Sequence, residues 1–169
     1  ERVRHGHKLM IAQATERPRP CAARVCVGKE RGMQHWSVRE AAAGPTVIVV
    51  ERTRGETRGK LAKQLDNDVK EHTTSELRSW VTIRADDQTK LDPQVVQWAQ
   101  KYAVSNVPCA VFEDTVGPPT YLLSKDADVT VLLSVKQKVV ANFAFRAGEL
   151  NDAALAEIVK SIPKIIIKK

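Results

Sequence analysis

Two apolar runs near the C-terminal end set the pattern of this chain. VTVLLSV over 129–135 and VVANFAF over 139–145 are rich in Val, Leu and Phe. Lys136, Gln137 and Lys138 between them suit a short hairpin connection. Beyond Gly148, Asn151 offers an N-cap, Asp152 an acidic first turn, and Leu155, Ile158, Val159 and Ile162 recur at helical spacing. A hairpin with a helix across it needs more sheet beside it to bury its apolar face. The upstream chain supplies that sheet. Residues 46–50 (TVIVV) form an unbroken apolar run after Pro45, the pattern of a strand covered on both faces. A polar, glycine-bearing turn over 52–59 follows, and then Leu61, Leu65 and Val69 predict an amphipathic helix to about Glu71.

Residues 77–84 (LRSWVTIR) and 108–113 (PCAVFE) read as two further strands. Between them, Asp92-Pro93 reads as an N-cap with proline in the first turn, and Val95, Trp98, Ala99 and Tyr102 share one helical face. Gly117-Pro118-Pro119 breaks the chain, and 120–125 reads as a short helix or turn before the hairpin. Strands alternating with helices imply right-handed crossovers around a mainly parallel sheet with an antiparallel hairpin at its edge. The expected fold is an α/β sandwich: a central mixed sheet of about five strands with helices on both faces.

The N-terminal quarter lacks this order. Residues 1–34 carry scattered arginines, two prolines near their middle and no sustained period, with 8–12 as a candidate strand. Ser37 and Glu40 match a capping box, and Ala41–Ala43 before Gly44-Pro45 reads as a short helix that stops there. Residues 1–44 are therefore expected to be a mostly irregular arm and residues 45–169 the globular domain. Charge divides the same way. Of the net +7, the arm carries +5 and the rest only +2. The arm is thus a candidate for binding nucleic acid or another polyanion.

At 169 residues, with 43% hydrophobic and 28% charged, the chain is long enough to bury a core without disulfides or metals. No apolar run reaches the length of a membrane span and no signal-peptide core is visible, so no membrane association is expected and the compartment is left open. The three cysteines make no disulfide framework. Cys21 and Cys26 lie in the arm; with His5, His7 and His35 they fit no zinc spacing, so no metal and no cofactor is expected. Unpaired thiols, or an occasional Cys21–Cys26 disulfide, are the reading there.

KYAVSNVPCAVFED over 101–114, DVTVLLSVKQKVVANFAF over 128–145 and GELNDAALAEIVKSI over 148–162 resemble the redoxin branch of the thioredoxin-like superfamily. The likeness spans about residues 45–163, and it implies a thioredoxin-like three-layer sandwich. Active members of that family hold a Cys-x-x-Cys pair, or one peroxidatic Cys, in the turn after the first buried strand and at the start of its helix. The helix N-terminus there favours the thiolate. Here Glu56, Thr57, Arg58 and Gly59 occupy that place, with no sulfur. The family's cis-proline ahead of the hairpin is also missing: Val129 stands at the matching position, unless Val107-Pro108 supplies it in a different register.

The resemblance therefore implies a non-catalytic redoxin-type domain, a binding or accessory module with a protein partner, because disulfide exchange needs a nucleophilic thiol. Cys109 is the cysteine inside the domain. It reads as a small buried strand residue, with a monothiol redox role as the alternative. Gly55-x-x-x-Gly59-Lys60 is one residue too short for a phosphate loop and is followed by Leu61, which excludes nucleotide hydrolysis. Arg52, Arg54, Arg58 and Lys60 remain a candidate anion site at the helix start, set against a plain solvated basic turn. Asp86, Asp87, Asp92, Glu113 and Asp114 read as turn and cap residues, and Trp80, Trp98 and Tyr102 as core.

Overall fold

The computed structural model describes residues 23–35, 44–114, 123–136 and 138–166. Their strands form one seven-stranded sheet. In chain order the elements are β1 (Ala23–Val27), β2 (Gln34–His35), β3 (Thr46–Glu51), α1 (Glu56–Glu71), β4 (Arg78–Arg84), α2 (Gln88–Lys101), β5 (Cys109–Phe112), β6 (Val129–Val135), β7 (Lys138–Phe145) and α3 (Asp152–Ser161). Across the sheet the order is β2-β1-β5-β4-β3-β6-β7. β3, β4 and β5 run parallel, and β1 and the β6–β7 hairpin are antiparallel to their neighbours.

β3 is the hub. All six of its residues are buried. Its period-2 alternation sends Val47 and Val49 into the core shared with α1, α2 and α3, through Leu61, Leu65, Val95, Trp98 and Ile158. Ile48 and Val50 go to the opposite face with Trp80 and Leu132, backed by Leu123 and Val139. The continuous apolar run therefore marks a strand covered on both sides, as read. The three described helices share one face; of the short helix or turn expected over 120–125, residues 120–122 lie outside the described residues and 123–125 are not helical.

Two elements differ from the sequence reading. Ala23–Val27 and Gln34–His35, placed in the irregular arm, are strands of the same sheet, with β1 pairing to β5. A five-residue strand carrying exposed Arg24 gives almost no periodic signal, and its partner β5 lies some eighty residues away in sequence. The sheet thus starts well before residue 45. Residues 1–22 and 36–43, with the strand expected at 8–12 and the short helix before Gly44, lie outside the described residues. The second difference is the cap of α2. It is Asp87, whose carboxylate accepts from the Thr89 and Lys90 N–H groups, so Asp92-Pro93 falls inside the helix. Other bounds match closely: α1 ends at Glu71, and Asn151 caps α3 by accepting from Ala154 N–H.

The turn into β5 is organised by a buried carboxylate. Asp66 of α1 accepts from the backbone N–H groups of Ser105, Asn106 and Val107 and from the Asn106 side chain, at 2.6–3.0 Å. Burial works against its ionisation, but these four donors outweigh it and hold the carboxyl below the usual range. Asp66→Ala strands those donors and is expected to cost about 3 kcal/mol of unfolding free energy. Urea denaturation at pH 7 of Asp66→Ala beside Asp66→Asn measures it, with Asn losing less because it keeps one acceptor oxygen.

Candidate functional site

Antiparallel pairing of β3 with β6 decides what faces the start of α1. Glu51, the last residue of β3, pairs with Val129, the first of β6. The turn leading from β3 into α1 therefore lies against the segment leading into β6. Main-chain bonds fix the two together: Arg52 N–H donates to Asp128 O at 3.0 Å, and Asp128 N–H donates to Phe145 O at 2.7 Å. Both backbone groups of Asp128 are thus taken by the chain itself.

Side chains close the contact further. Arg58, in the first turn of α1, forms an ion pair with the Asp128 carboxylate, which also accepts from Thr53 Oγ1 at 2.9 Å. Arg52 reaches Lys125 O at 2.6 Å, and Arg84, from the end of β4, donates to Ala127 O at 2.9 Å. Burial brings the Arg84 pKa down to about 10, with the Arg52 charge acting in the same direction. The turn carrying Glu56–Gly59 and the segment leading into Val129 lie against each other. An ion pair fills the space between them.

Glu56, Thr57, Arg58 and Gly59 form the first helical turn, with Gly55 as N-cap. Glu56 is exposed and pairs with Lys60 at 3.4 Å. Gly59 is pressed against Tyr102 from the end of α2: a Cβ built there would fall 2.3 Å from the ring. Tyr102 in turn packs edge-on against Trp98, whose indole N–H donates to Gly55 O at 3.4 Å. Position 59 is therefore closed to any side chain, sulfur included, unless Tyr102 moves.

The proposed basic quartet does not converge on one point. Arg58 is held by Asp128, Arg52 by Lys125 O, Arg54 by Gln94 Oε1 at 2.6 Å, and Lys60 by Glu56 and by Asp152 at 3.6 Å. Cys109 is fully buried in β5, its thiol directed to Val107 O, and burial raises its pKa far above the usual thiol range. Pro108 sits beside Gly28 in the β1–β2 turn, and the described peptide bonds are all trans. Among the described residues no cluster of three or more His, Cys, Asp or Glu could hold a metal. No described helix is long and apolar enough to cross a membrane.

Sequence reasoning missed Glu51 and Asp128. Glu51 is 1% exposed at the end of the hub strand, its Oε2 3.9 Å from Arg58 Nε and its Oε1 without a hydrogen-bond partner among the described residues. The one available signal was a carboxylate closing an apolar run, which looks like an ordinary strand end. Burial pushes the Glu51 pKa up to about 8; the Arg58 charge opposes the rise, and the Asp128 carboxylate adds to it. The folded state therefore keeps Glu51 protonated at pH values where the unfolded chain ionises it. Its contribution to stability is complete below pH 4.5 and is lost as pH rises through about 8. Glu51→Gln is expected to flatten that decline, gaining on the order of 3 kcal/mol over wild type at pH 8. Chemical denaturation at pH 5, 6.5 and 8 checks the slope.

No family model and no curated protein sequence matches the chain. Solved structures do match in fold. A secreted Mycobacterium tuberculosis disulfide oxidoreductase homologous to E. coli DsbE superposes with TM-score 0.60 at 10% identity, covering 84% of this chain and 96% of the other. An uncharacterised conserved protein from Geobacillus kaustophilus gives 0.61 at 11%, covering 91% and 85%. Xanthomonas campestris peroxiredoxin Q gives 0.55 at 13%, covering 82% and 89%. At such identities the likeness speaks for architecture. Together with the sheet order and the α1–β6 juxtaposition, it identifies the chain as having the thioredoxin-like fold of the redoxin type.

Proposed function

We propose that this domain is a non-catalytic redoxin-type module that works by binding a protein partner, not by thiol chemistry. The observation that carries this reading is the Arg58–Asp128 ion pair between the α1 start and the β6 loop, where a thiol would need room to meet a substrate. Three facts support it. Glu56–Gly59 contains no sulfur, and Tyr102 fills the space above Gly59. Asp128 has both main-chain groups engaged, so that loop has no free strand-like edge to offer an extended substrate. Cys26 and Cys109 are each 0% exposed. The monothiol alternative through Cys109 lacks the accessible, electropositive setting that activates a thiolate.

The helix start keeps its electrostatics even so. Glu56 is an acidic residue in the first turn of a sixteen-residue helix, a place where the dipole stabilises negative charge.

Two measurements test this. In an insulin-reduction assay with a recycling reductant, the full chain is expected to show no turnover above the reductant alone, and Cys109 to resist iodoacetamide until denaturant is added. Thiol-dependent turnover would end the non-catalytic reading. Second, Glu56→Cys places a sulfur on the helix start, and its thiol pKa is expected at about 7 or below by pH-dependent alkylation. An ordinary value near 8.5 would show that the turn is not poised as the family's active turns are.

A further inference from the structure

A second pair of sulfurs lies elsewhere, on the sheet itself. The β1–β5 register runs Arg24↔Val111 and Val25↔Ala110, then slips to Val27↔Cys109. Cys26 is therefore the extra residue of a bulge, beside Cys109 on the neighbouring strand. Alternation puts Ala23, Val25, Ala110 and Phe112 on one face, and Cys26, Cys109 and Val111 together on the other. Residues opposed across an antiparallel pair have Cβ atoms about 4.5–5.5 Å apart, and a disulfide needs about 3.5–4.5 Å. A bulge is the local irregularity that lets one strand move by that difference.

We propose that Cys26 and Cys109 form a reversible cross-strand disulfide that staples β1 to β5 when the chain meets a small oxidant. In the reduced structure each thiol rests on its own strand, Cys26 toward Arg24 O and Cys109 toward Val107 O, both at 3.7 Å. Burial, reinforced by Asp92, pushes the Cys26 pKa up to about 12, so the pair stays protonated and reacts slowly. That separates it from a catalytic thiol. Asp92 of α2 is 23% exposed at its side chain, lies 3.8 Å from Arg31, and also interacts with Cys26, so it links the buried thiol to the surface. The β1–β2 bonds end at Val25, whose N–H donates to Met33 O and whose carbonyl accepts from Gly32 N–H.

The chemistry balances with one hydrogen peroxide. The Cys26 sulfur attacks one peroxide oxygen while its proton passes through the Asp92 carboxylate to the departing oxygen. The O–O bond breaks, leaving a sulfenic acid and one water. The Cys109 sulfur then attacks the Cys26 sulfur; the S–O bond breaks, and hydroxide leaves with the Cys109 proton as a second water. Two thiols are oxidised by two electrons and the peroxide is reduced. The inference does not depend on the non-catalytic reading, because neither sulfur belongs to the α1 turn.

The test uses the full chain with Cys21→Ser, so that one pair remains. It is exposed to hydrogen peroxide while folded, quenched with catalase, unfolded, alkylated and mapped by mass spectrometry. The expected result is a mass loss of two hydrogens, loss of both alkylatable thiols, and a linked peptide joining residues 26 and 109 that dithiothreitol releases. The same treatment of the urea-unfolded chain is expected to give at least about tenfold less of that link, because the sheet no longer holds the sulfurs together. Two free thiols after treatment, or separate sulfinic acids without a link, would overturn the proposal. Equal linkage in the unfolded chain would overturn it too.

Discussion

A strand buried on both faces has no solvent-facing side on which to place a charge, and that constraint on β3 shapes the rest of the molecule. Its apolar residues divide between two cores, and its final residue, Glu51, ends up enclosed at the junction of α1, β6 and the turn from β3 into α1. The chain accommodates this carboxyl by keeping it neutral and by bringing Arg58 close. Arg58 is then shared with Asp128, which binds the β6 loop. The closure of the cleft follows from central packing as much as from any requirement of the surface.

The same logic explains why the helical face and the cleft have different characters. The face under α1, α2 and α3 is made of Val, Leu, Ile and Trp, where shape alone has to fit. Polar groups gather at the strand ends, and most are used by partners within the chain: Asp66 on three amides, Arg84 on Ala127 O, Gln88 on Val111 O. In many α/β sheets the carboxyl ends of the strands are where ligands bind. Here Arg84 and Gln88, beside those ends, are bonded to carbonyls of the chain itself.

Legibility in the sequence followed the physics of each element. β3, β6, β7, α1 and α3 were readable because their apolar periods are long and their caps explicit: Asn151 bonds the amide its spacing foretold. β1 was not, since a strand of five residues owes its existence to β5 and not to its own pattern. Asp92-Pro93 misled because both residues suit a helix start, while Asp87 lay five positions earlier with a free side chain to receive two amides. At the site, the missing sulfur at Glu56–Gly59 was visible from composition alone. The Arg58–Asp128 pair joins residues seventy positions apart and needed the β3–β6 register to bring it to light.

Gly59 and Tyr102 constrain each other. No side chain larger than hydrogen fits at position 59 while Tyr102 keeps its place, since an incoming Cβ would meet an aromatic ring wedged against the helix. The ring has to leave first, and its departure would open a void beside Trp98 with no immediate benefit to repay it. Positions 59 and 102 are therefore coupled: the size of one side chain sets what the other can be.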